Sequence, residues 1–309
     1  MIPNYQEIMR PFLHFLNSDQ ENENKLRDLI NQISSHFGLS DEERNELLPS
    51  GKQRIIDNRV GWARTYLLKS GLIDSPKRAH FVITERGKQA LSENVEINNE
   101  YLKQFDEFIA FKNKSNEIES ADNNGDSSEP LDNDDDITPD EALLKAYHRI
   151  NQALEEELLT RTRKVSPAFF EQLLIDLLMA MGYGGTGEST AHALGQSGDN
   201  GVDGVINQDP LGVDQIYIQA KRYAAGNNVS SGDIRDFFGA LNLKRAQKGL
   251  FITTSDFTAS ATSTARDLGS RIVLINGQQL AKLMLRYNIG SRNEQTLHLK
   301  KIDEEYFEG

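Results

Sequence analysis

The 309-residue sequence contains no cysteine, which excludes disulfide bonds, thiolate metal sites and cysteine nucleophiles. A chain without cysteine fits a reducing compartment. No apolar run approaches the ~20 residues that a membrane-spanning helix needs. The N-terminal stretch "MIPNYQEIMRPFLHFL" also lacks the basic start and the small-residue cleavage site of a secretory signal. We therefore expect a soluble, cytoplasmic protein.

Histidine is scarce as well, and the six histidines show no HExxH-like spacing, which argues against a zinc centre. The run "GYGGTG" from Gly182 to Gly187 matches the GxGxxG pattern. It leaves a predicted helix and enters a loop rich in glycine and serine, whereas a dinucleotide fingerprint follows a strand and opens a helix. The sequence therefore does not predict nucleotide binding.

Basic residues are outnumbered by acidic ones, 34 to 47, and the net charge of −13 argues against a simple nucleic-acid binder. The charge is unevenly distributed, however. Residues 51–90 contain nine Lys or Arg and three acids, a net charge of +6. Residues 113–136 contain nine acids and one lysine, a net charge of −8. The basic segment is thus a candidate nucleic-acid surface within an acidic protein.

The acidic segment is nearly free of large apolar residues and cannot offset the entropy cost of becoming ordered, so we predict a linker there. The expected organisation is an N-terminal domain over residues 1–95, a helical extension with the acidic linker over 96–138, and a C-terminal domain over 139–309. A plain solvated spacer is one interpretation of the linker. Competition with DNA for the basic segment is the other.

The N-terminal domain is predicted to be helical and to end in a β-hairpin. The expected helices are Tyr5–Leu16, Lys25–Phe37, a short acidic helix at Asp41–Leu48, Asn58–Ser70, and one that starts near Glu85. Gly71 is the expected C-cap of the fourth helix. The stretch "LIDSPKRAHFVITERG" reads as two short strands around a basic turn. Helices followed by a hairpin with a positive tip are typical of a winged helix-turn-helix domain.

A winged helix places one helix in the major groove of DNA and its wing on phosphates. Apolar residues at helical spacing in Asn58–Ser70 leave the basic residues of that helix largely off the buried face. The candidate DNA-binding residues are Arg59, Arg64 and Lys69 on the helix and Lys77 and Arg78 on the wing. A solvated basic face, or a module that binds other proteins, is the alternative interpretation.

The C-terminal domain is predicted to be α/β, with a small mixed sheet flanked by helices. A helix from Pro139 to about Arg163 precedes an apolar helix that contains Phe170 to Met181. The expected strands are Gly204–Asn207, Gln215–Arg222, the run "GLFITTS" and the run "RIVLI". A Pro-Gly turn joins the first two as a hairpin, and helices separate the later strands.

Three polar residues of this hairpin form a candidate active site. Alternate side chains of a strand share a face, so Gln219 and Lys221 point the same way, and the hairpin returns them to Asp203. Asp203, with a backbone carbonyl near Ala220, suits a hard cation such as Mg²⁺ or Mn²⁺. Lys221 would orient or deprotonate a water, or stabilise developing charge. The arrangement suits phosphodiester hydrolysis, although as spacing alone the pattern is weak.

The motifs of the C-terminal domain resemble the PD-(D/E)xK nuclease superfamily and, within it, the Mrr-like restriction endonucleases. The pattern GxxGDxGxDGxI occurs at Gly195 to Ile206, "YIQAKRY" at the lysine strand, and "GLFITTSDFTASA" at the next strand and helix. The segment "NRVGWARTYLLKSGLI" is similar to the winged-helix domain that precedes the nuclease in Mrr proteins. The resemblance covers nearly the whole chain apart from the linker.

The resemblance implies roles for particular residues. Asp203 becomes a metal ligand, Lys221 the catalytic lysine, and Gln219 the polar member of the metal site where the superfamily more often has Asp or Glu. Glu171 matches the helix acid that often completes the metal site, the alternative being a position at the exposed edge of an apolar stripe. Asp199 is a further possible member of the metal shell. Glutamine at 219 removes one negative charge, which we expect to weaken cation binding.

The resemblance further implies a Mg²⁺-dependent deoxyribonuclease of the type IV restriction class, acting near the bacterial nucleoid on methylated foreign double-stranded DNA. Because cutting both strands needs two active sites or one used twice, a homo-oligomer is expected. One alternative is a catalytically inactive DNA-binding regulator that uses the same folds for DNA gripping and assembly. Another is a junction or repair nuclease that prefers a DNA structure to a modification.

Overall fold

The computed structural model describes residues 1–18, 24–77, 79–93, 95–120, 136–184, 201–209, 211, 213–268 and 271–300, without the side chains of 114–120. The chain divides into two compact units, Met1–Tyr147 and His148–Lys300. Within the described ranges, no helix is both long enough and apolar enough to cross a membrane.

The N-terminal unit consists of helices and one three-stranded sheet. Its elements are α1 (Tyr5–Ser18), β1 (Asn24–Lys25), α2 (Leu26–His36), α3 (Asp41–Asn45), α4 (Ile55–Lys69), β2 (Ile73–Lys77), β3 (His80–Ile83), α5 (Glu85–Ser92), α6 (Asn99–Leu102) and α7 (Asp106–Ser120). The sheet has the strand order β1-β3-β2, and both pairings are antiparallel. This is the predicted winged helix-turn-helix domain, with the β2–β3 hairpin as its wing.

Helix α4 ends at Lys69, one residue before the predicted end, and Ser70 rather than Gly71 is its C-cap. Gly71 adopts a φ of 71°, a left-handed conformation that glycine tolerates, and the amide of Leu72 donates to the Leu67 carbonyl at 3.0 Å. Helix α7 extends into the stretch predicted as a linker because its start is anchored. Phe108 is fully buried, and its ring meets that of Tyr66 edge to face at a centroid distance of 5.5 Å.

The C-terminal unit contains the predicted mixed sheet. Its elements begin in helix α8 (Pro139–Lys164), whose residues 139–147 belong to the N-terminal unit. They continue with α9 (Pro167–Ala180), β4 (Gly204–Asn207), β5 (Gln215–Lys221), α10 (Ser231–Leu243), β6 (Lys248–Thr253), α11 (Ala259–Asp267), β7 (Arg271–Ile275) and α12 (Gly277–Arg286). The strand order is β4-β5-β6-β7, antiparallel between β4 and β5 and parallel elsewhere. Compact unit and predicted domain thus begin at different points of α8.

The sheet has an apolar core on each face. On one face Ile206, Ile218 and Ile252 pack with α9 and α12. On the other, Phe251 packs with residues of α10 and α11. Because β4 is an edge strand and Asp203 directly precedes it, that side chain lies at the border of the sheet, next to β5.

Asn276 and Gly277 form the start of α12. The side chain of Asn276 accepts from the amide of Gln279 at 2.9 Å, and the Gln279 side chain accepts in return from the Asn276 amide at 3.1 Å. Gly277 is required by close packing, since a Cβ there would lie 2.6 Å from the Thr254 carbonyl oxygen. The C-terminal ends of β6 and β7 therefore border the start of this helix.

Candidate active site

Asp203 is fixed to the lysine strand by three hydrogen bonds. Its amide donates to the Ile218 carbonyl at 2.8 Å, which continues the β4–β5 pairing beyond the first residue of β4. Its Oδ2 accepts from the Ala220 amide at 2.7 Å and from the Gln219 side-chain amide. The hairpin therefore brings Asp203 and Gln219 together, as the strand alternation predicts.

Gln219 is buried, with 4% of its surface exposed, and its Nε2 faces Asp203 Oδ2. A carboxylate offers only acceptors, so the amide must present its nitrogen, and its oxygen lies on the other side. In this arrangement the Gln219 amide donates a hydrogen bond to Asp203 and holds that carboxylate in place. A role as metal ligand would use Gln219 Oε1 and stays a prediction.

The two acids of the site carry raised pKa values. Burial raises the pKa of Asp203, and the Ala220 amide and the charge of Lys221 offset only part of that rise. Burial also raises the pKa of Glu171 on α9, and the negative charge of Asp203 adds to the rise. Glu171 is thus within electrostatic reach of Asp203, although it lies 32 residues earlier in the sequence. Two neighbouring carboxylates without a cation between them repel each other.

Lys221 ends β5 on the same face as Gln219, and its ammonium group makes no hydrogen bond or ion pair with any residue that the structure describes. A third acid, Asp233, lies within its electrostatic reach. Burial alone would raise the pKa of Asp233, but hydrogen bonds from Ser230 and the charge of Lys221 hold it below its usual value. The sequence prediction missed Asp233, whose signature is the Ser230-x-x-Asp233 capping box at the start of α10.

A divalent cation fits this set of residues. In the described part of the chain, no three or more His, Cys, Asp or Glu side chains gather as a metal cage. Mg²⁺ does not need one, since it is held by one or two carboxylates and completes its octahedral shell with water and phosphate oxygens. Asp203 and Glu171 supply that number, and a bound cation would offset the effect of the Asp203 charge on Glu171. Asp199 lies outside the described residues.

Arg59 lies within the N-terminal unit rather than on the open surface where the helical spacing placed it. Its Nε and Nη2 donate to Glu141 Oε1 at 3.0 and 2.8 Å, and its Nη1 donates to the Ile2 and Pro3 carbonyls at 2.9 and 3.0 Å. Both side chains of the pair are largely buried, 18% and 13% exposed. The start of α8 thus covers this side of α4.

The other expected DNA contacts differ in their surroundings. The guanidinium of Arg64 lies 5.6 Å from the centre of the Phe81 ring, and the ammonium of Lys69 lies 5.5 Å from that of Phe111. Lys69 and Lys77 are exposed. Arg78 lies outside the described residues. The positive charge of α4 that remains at the surface is therefore at its C-terminal end, next to the wing.

The fold and this site define a restriction-endonuclease-like α/β domain that follows a winged helix. Residues 162–284 match the family model described as restriction endonuclease, and residues 5–93 match the model described as the Mrr N-terminal domain. The first match contains Glu171, Asp203, Gln219 and Lys221. The second contains α4 and the wing.

The chain is also 32% identical over 312 residues to the type IV methyl-directed restriction enzyme EcoKMrr of Escherichia coli K12, covering 99% of both chains. It belongs to the Mrr family of restriction endonucleases. Among solved structures, it is similar to the DNA modification-dependent restriction endonuclease AspBHI (23% identity, TM-score 0.35, 46% of this chain) and to MspJI in complex with a 27-mer oligonucleotide (19%, 0.28, 53%). The chain spans 36% of the length of each of these two.

Proposed function

We propose that this Mrr-family enzyme is a divalent-metal-dependent endonuclease that hydrolyses methylated foreign DNA in bacterial restriction. The observation that carries the proposal is the convergence of Asp203, Glu171, Gln219 and Lys221 at one border of the sheet. Carboxylates beside a lysine suit phosphodiester hydrolysis, because the acids can hold a cation while the lysine serves the attacking water.

Each residue has a distinct role in this proposal. Asp203, through the oxygen not engaged by β5, and Glu171 would hold Mg²⁺ or Mn²⁺. When bound, the cation polarises the scissile phosphate and lowers the pKa of a coordinated water. Gln219 and the Ala220 amide fix the orientation of Asp203 through Oδ2. Lys221 orients the water or accepts its proton, and its charge favours the anionic phosphate.

Positioning of the duplex is assigned to the N-terminal unit. Lys77 and Arg78 of the wing, with Lys69 and Arg64 near the end of α4, would contact phosphates. Arg59 is left out because its donors already serve Glu141 and two carbonyls. Because both strands must be cut, we propose that the active enzyme is a homo-oligomer. Preference for methylated DNA is supported by the full-length similarity to a methyl-directed restriction enzyme.

The test is cleavage of methylated and unmethylated plasmid DNA with Mg²⁺ or with EDTA. The native protein should cut only with the metal and should prefer the methylated plasmid. Asp203→Asn, Lys221→Met and Glu171→Gln should each lower the rate by about 10²-fold or more, since each removes a group that acts on developing charge. Asp176→Asn, an exposed acid on the same helix as Glu171, should cut normally.

Each remaining outcome points to a different function. Equal DNA binding by the native protein and the variants, without cleavage of either plasmid, would establish an inactive DNA-binding regulator in which Gln219 marks a lost metal site. Cleavage that ignores methylation but prefers branched DNA would establish a junction or repair nuclease. Full cleavage in EDTA would contradict the proposed role of a metal.

A further inference from the structure

Two arginines lie at the C-terminal ends of the strands, where Lys221 ends β5. The reaction proposed above gives them no role. Arg222 follows Lys221 at the end of β5, and Arg163 belongs to the last turn of α8. We propose that Arg163 and Arg222 bind a phosphate of the cleaved DNA strand, namely one next to the scissile phosphate. This inference rests on the proposed function in one respect, namely that the substrate at this edge is DNA.

A chain of short contacts joins the pair to the main chain of Lys221, although the Lys221 and Arg222 side chains, as neighbours along the strand, point to opposite faces of it. The Lys221 carbonyl accepts from Thr253 Oγ1 at 2.8 Å and from the Thr254 amide at 3.2 Å. The Thr254 carbonyl in turn accepts from Arg163 Nε at 3.0 Å, and the Arg163 carbonyl accepts from Arg222 Nη1 at 2.6 Å. Both guanidinium groups are therefore tied to the C-terminal ends of β5 and β6, where Lys221 lies.

The two side chains retain donors that no described residue uses. Arg163 donates only through Nε, so both of its terminal nitrogens remain available. Arg222 donates only through Nη1, and its Nε is buried without a hydrogen-bond partner. Neither forms an ion pair with an acid in the described part of the chain. An unpartnered buried donor costs stability, and so does a partly buried cation without an anion.

A structural role accounts for only part of this arrangement. The Arg222 bond to the last turn of α8 satisfies a free helix carbonyl and places positive charge at the negative end of the helix. One lysine ammonium would do the same. A lysine would not explain a pair of guanidinium groups that both keep unused donors on their terminal nitrogens. An arginine offers paired N–H groups in a fixed fork that match two phosphate oxygens, so a phosphate is the anion that fits.

The occupant is a DNA phosphate because of where the pair lies. If Lys221 and Asp203 act at the scissile phosphate, the same DNA strand carries a phosphate on each side of it. The Arg163–Arg222 pair is joined to the Lys221 main chain at the ends of β5 and β6, so we place it next to the path of the DNA strand beyond the scissile phosphate. The two arginines would then fix the strand relative to the attacking water, which is a binding role and not a catalytic one.

The experiment measures DNA affinity against salt with the full chain. A fluorescein-labelled duplex is titrated in EDTA, where the metal is absent, over a series of KCl concentrations. Arg163→Met and Arg222→Met should each weaken binding and make the plot of log affinity against log salt shallower by up to about 0.9 for the lost phosphate contact. Arg163→Lys and Arg222→Lys should retain most of the slope, because the charge remains.

Arg161→Met is the matched control. Arg161 lies two positions before Arg163 on the same helix, but it is 75% exposed and pairs with Glu157 at 2.7 Å. This variant should bind DNA with native affinity and slope. Thermal melting of all variants separates a folding defect from a lost contact.

Three results would overturn the inference. The first is a native salt slope in both methionine variants, even if they melt at lower temperature, since that identifies a purely structural pair. The second is an equal loss of slope in Arg161→Met. The third is DNA binding by the native protein that does not depend on salt. A native protein that binds with a steep slope but never cuts DNA would contradict the proposed nuclease activity and leave this inference standing.

Discussion

Two clusters of polar residues, one in each unit, differ in how their charges are paired. In the N-terminal unit, the buried side chain of Asn58 donates to Asp140 at 2.9 Å and accepts from Thr138 at 2.7 Å. Next to it, Arg59 pairs with Glu141. In the C-terminal unit, burial and the charge of Asp203 raise the pKa of Glu171, and Lys221 has no hydrogen-bond or ion-pair partner among the described residues.

This difference distinguishes a structural network in the N-terminal unit from a ligand-binding site in the C-terminal unit. Buried polar groups in stable cores are hydrogen-bonded, because an unpaired one costs free energy. The N-terminal network follows this rule and therefore explains only the fold. The C-terminal site departs from this rule. Asp203 and Glu171 lie near each other, while Lys221, Arg163 and Arg222 form no ion pair with an acid among the described residues. A metal ion would pair with the two acids, and DNA phosphates would pair with the basic residues. The unpaired charges therefore point to function.

The largest expected effect on stability comes from the hydrogen-bonded network of the N-terminal unit. Glu141→Ala leaves Arg59 largely buried without its acid, and should lower the free energy of unfolding by about 3 kcal/mol. The single tryptophan, Trp62, reports on this network directly, because its Nε1 donates to Asp140 at 2.7 Å. Denaturant unfolding followed by Trp62 fluorescence is the measurement.

Glu100→Ala is the control for this change, since Glu100 pairs with Lys103 in the same unit but both side chains are exposed. Its cost should stay below about 0.5 kcal/mol. Similar small losses for Glu141→Ala and Glu100→Ala would show that the buried pair is weak and that the contrast between the units fails on the N-terminal side.

The next effect concerns Gln219, whose amide donates to Asp203. Gln219→Glu replaces that hydrogen bond with a second negative charge, and in EDTA it should destabilise the protein by about 2 kcal/mol. Excess Mg²⁺ should recover the loss, because three acids bind the cation more strongly than two. Thermal melting with EDTA and with Mg²⁺ measures both effects.

Gln219→Met removes the same hydrogen bond without adding charge, so it should cost about 1 kcal/mol whether or not the metal is present. Native melting of Gln219→Glu in EDTA would contradict the hydrogen bond between Gln219 and Asp203. A loss in Gln219→Glu that Mg²⁺ does not recover would contradict a metal at this position.

Local signals in the sequence were sufficient for much of the fold. Strands β4 and β7 have the predicted bounds, because short apolar runs between turn residues admit few other boundaries. Gly71 was predicted at the C-terminal end of α4, one residue beyond the observed C-cap, because a left-handed residue is needed where a helix gives way to a strand. Asp203 and Gln219 were brought together by strand alternation and a hairpin turn, both of which act over short sequence distances.

Partners distant in sequence were not predictable in the same way. Helical spacing places Arg59 off the apolar face of α4, but it cannot show that Glu141, 82 residues away, closes over it. Arg163 was not predicted as a site residue for a similar reason. It lies at the end of a long charged helix, and only the packing of α8 against the sheet gives it the Thr254 carbonyl. Such contacts depend on tertiary packing, which periodicity does not encode.

The smallest effect is the pH dependence of Asp203. Its pKa is raised in the folded protein, mainly by burial, so the folded state holds the proton more tightly than the unfolded state. The contribution of this group to stability is therefore greatest at low pH. It falls as the pH rises from the ordinary value of 3.8 through the raised folded value. Glu171 acts in the same direction.

Asp203→Asn keeps the acceptor for Ala220 and cannot ionise, so it should escape this loss. Melted in EDTA over a pH series, it should match the native protein at acid pH and melt higher at neutral pH, by no more than about 4 °C. Parallel curves for the two proteins over the whole series would show that Asp203 titrates at its ordinary pKa. Ionisation of Asp203 would then not lower the free energy of unfolding, and the contrast with the N-terminal network would rest on geometry alone.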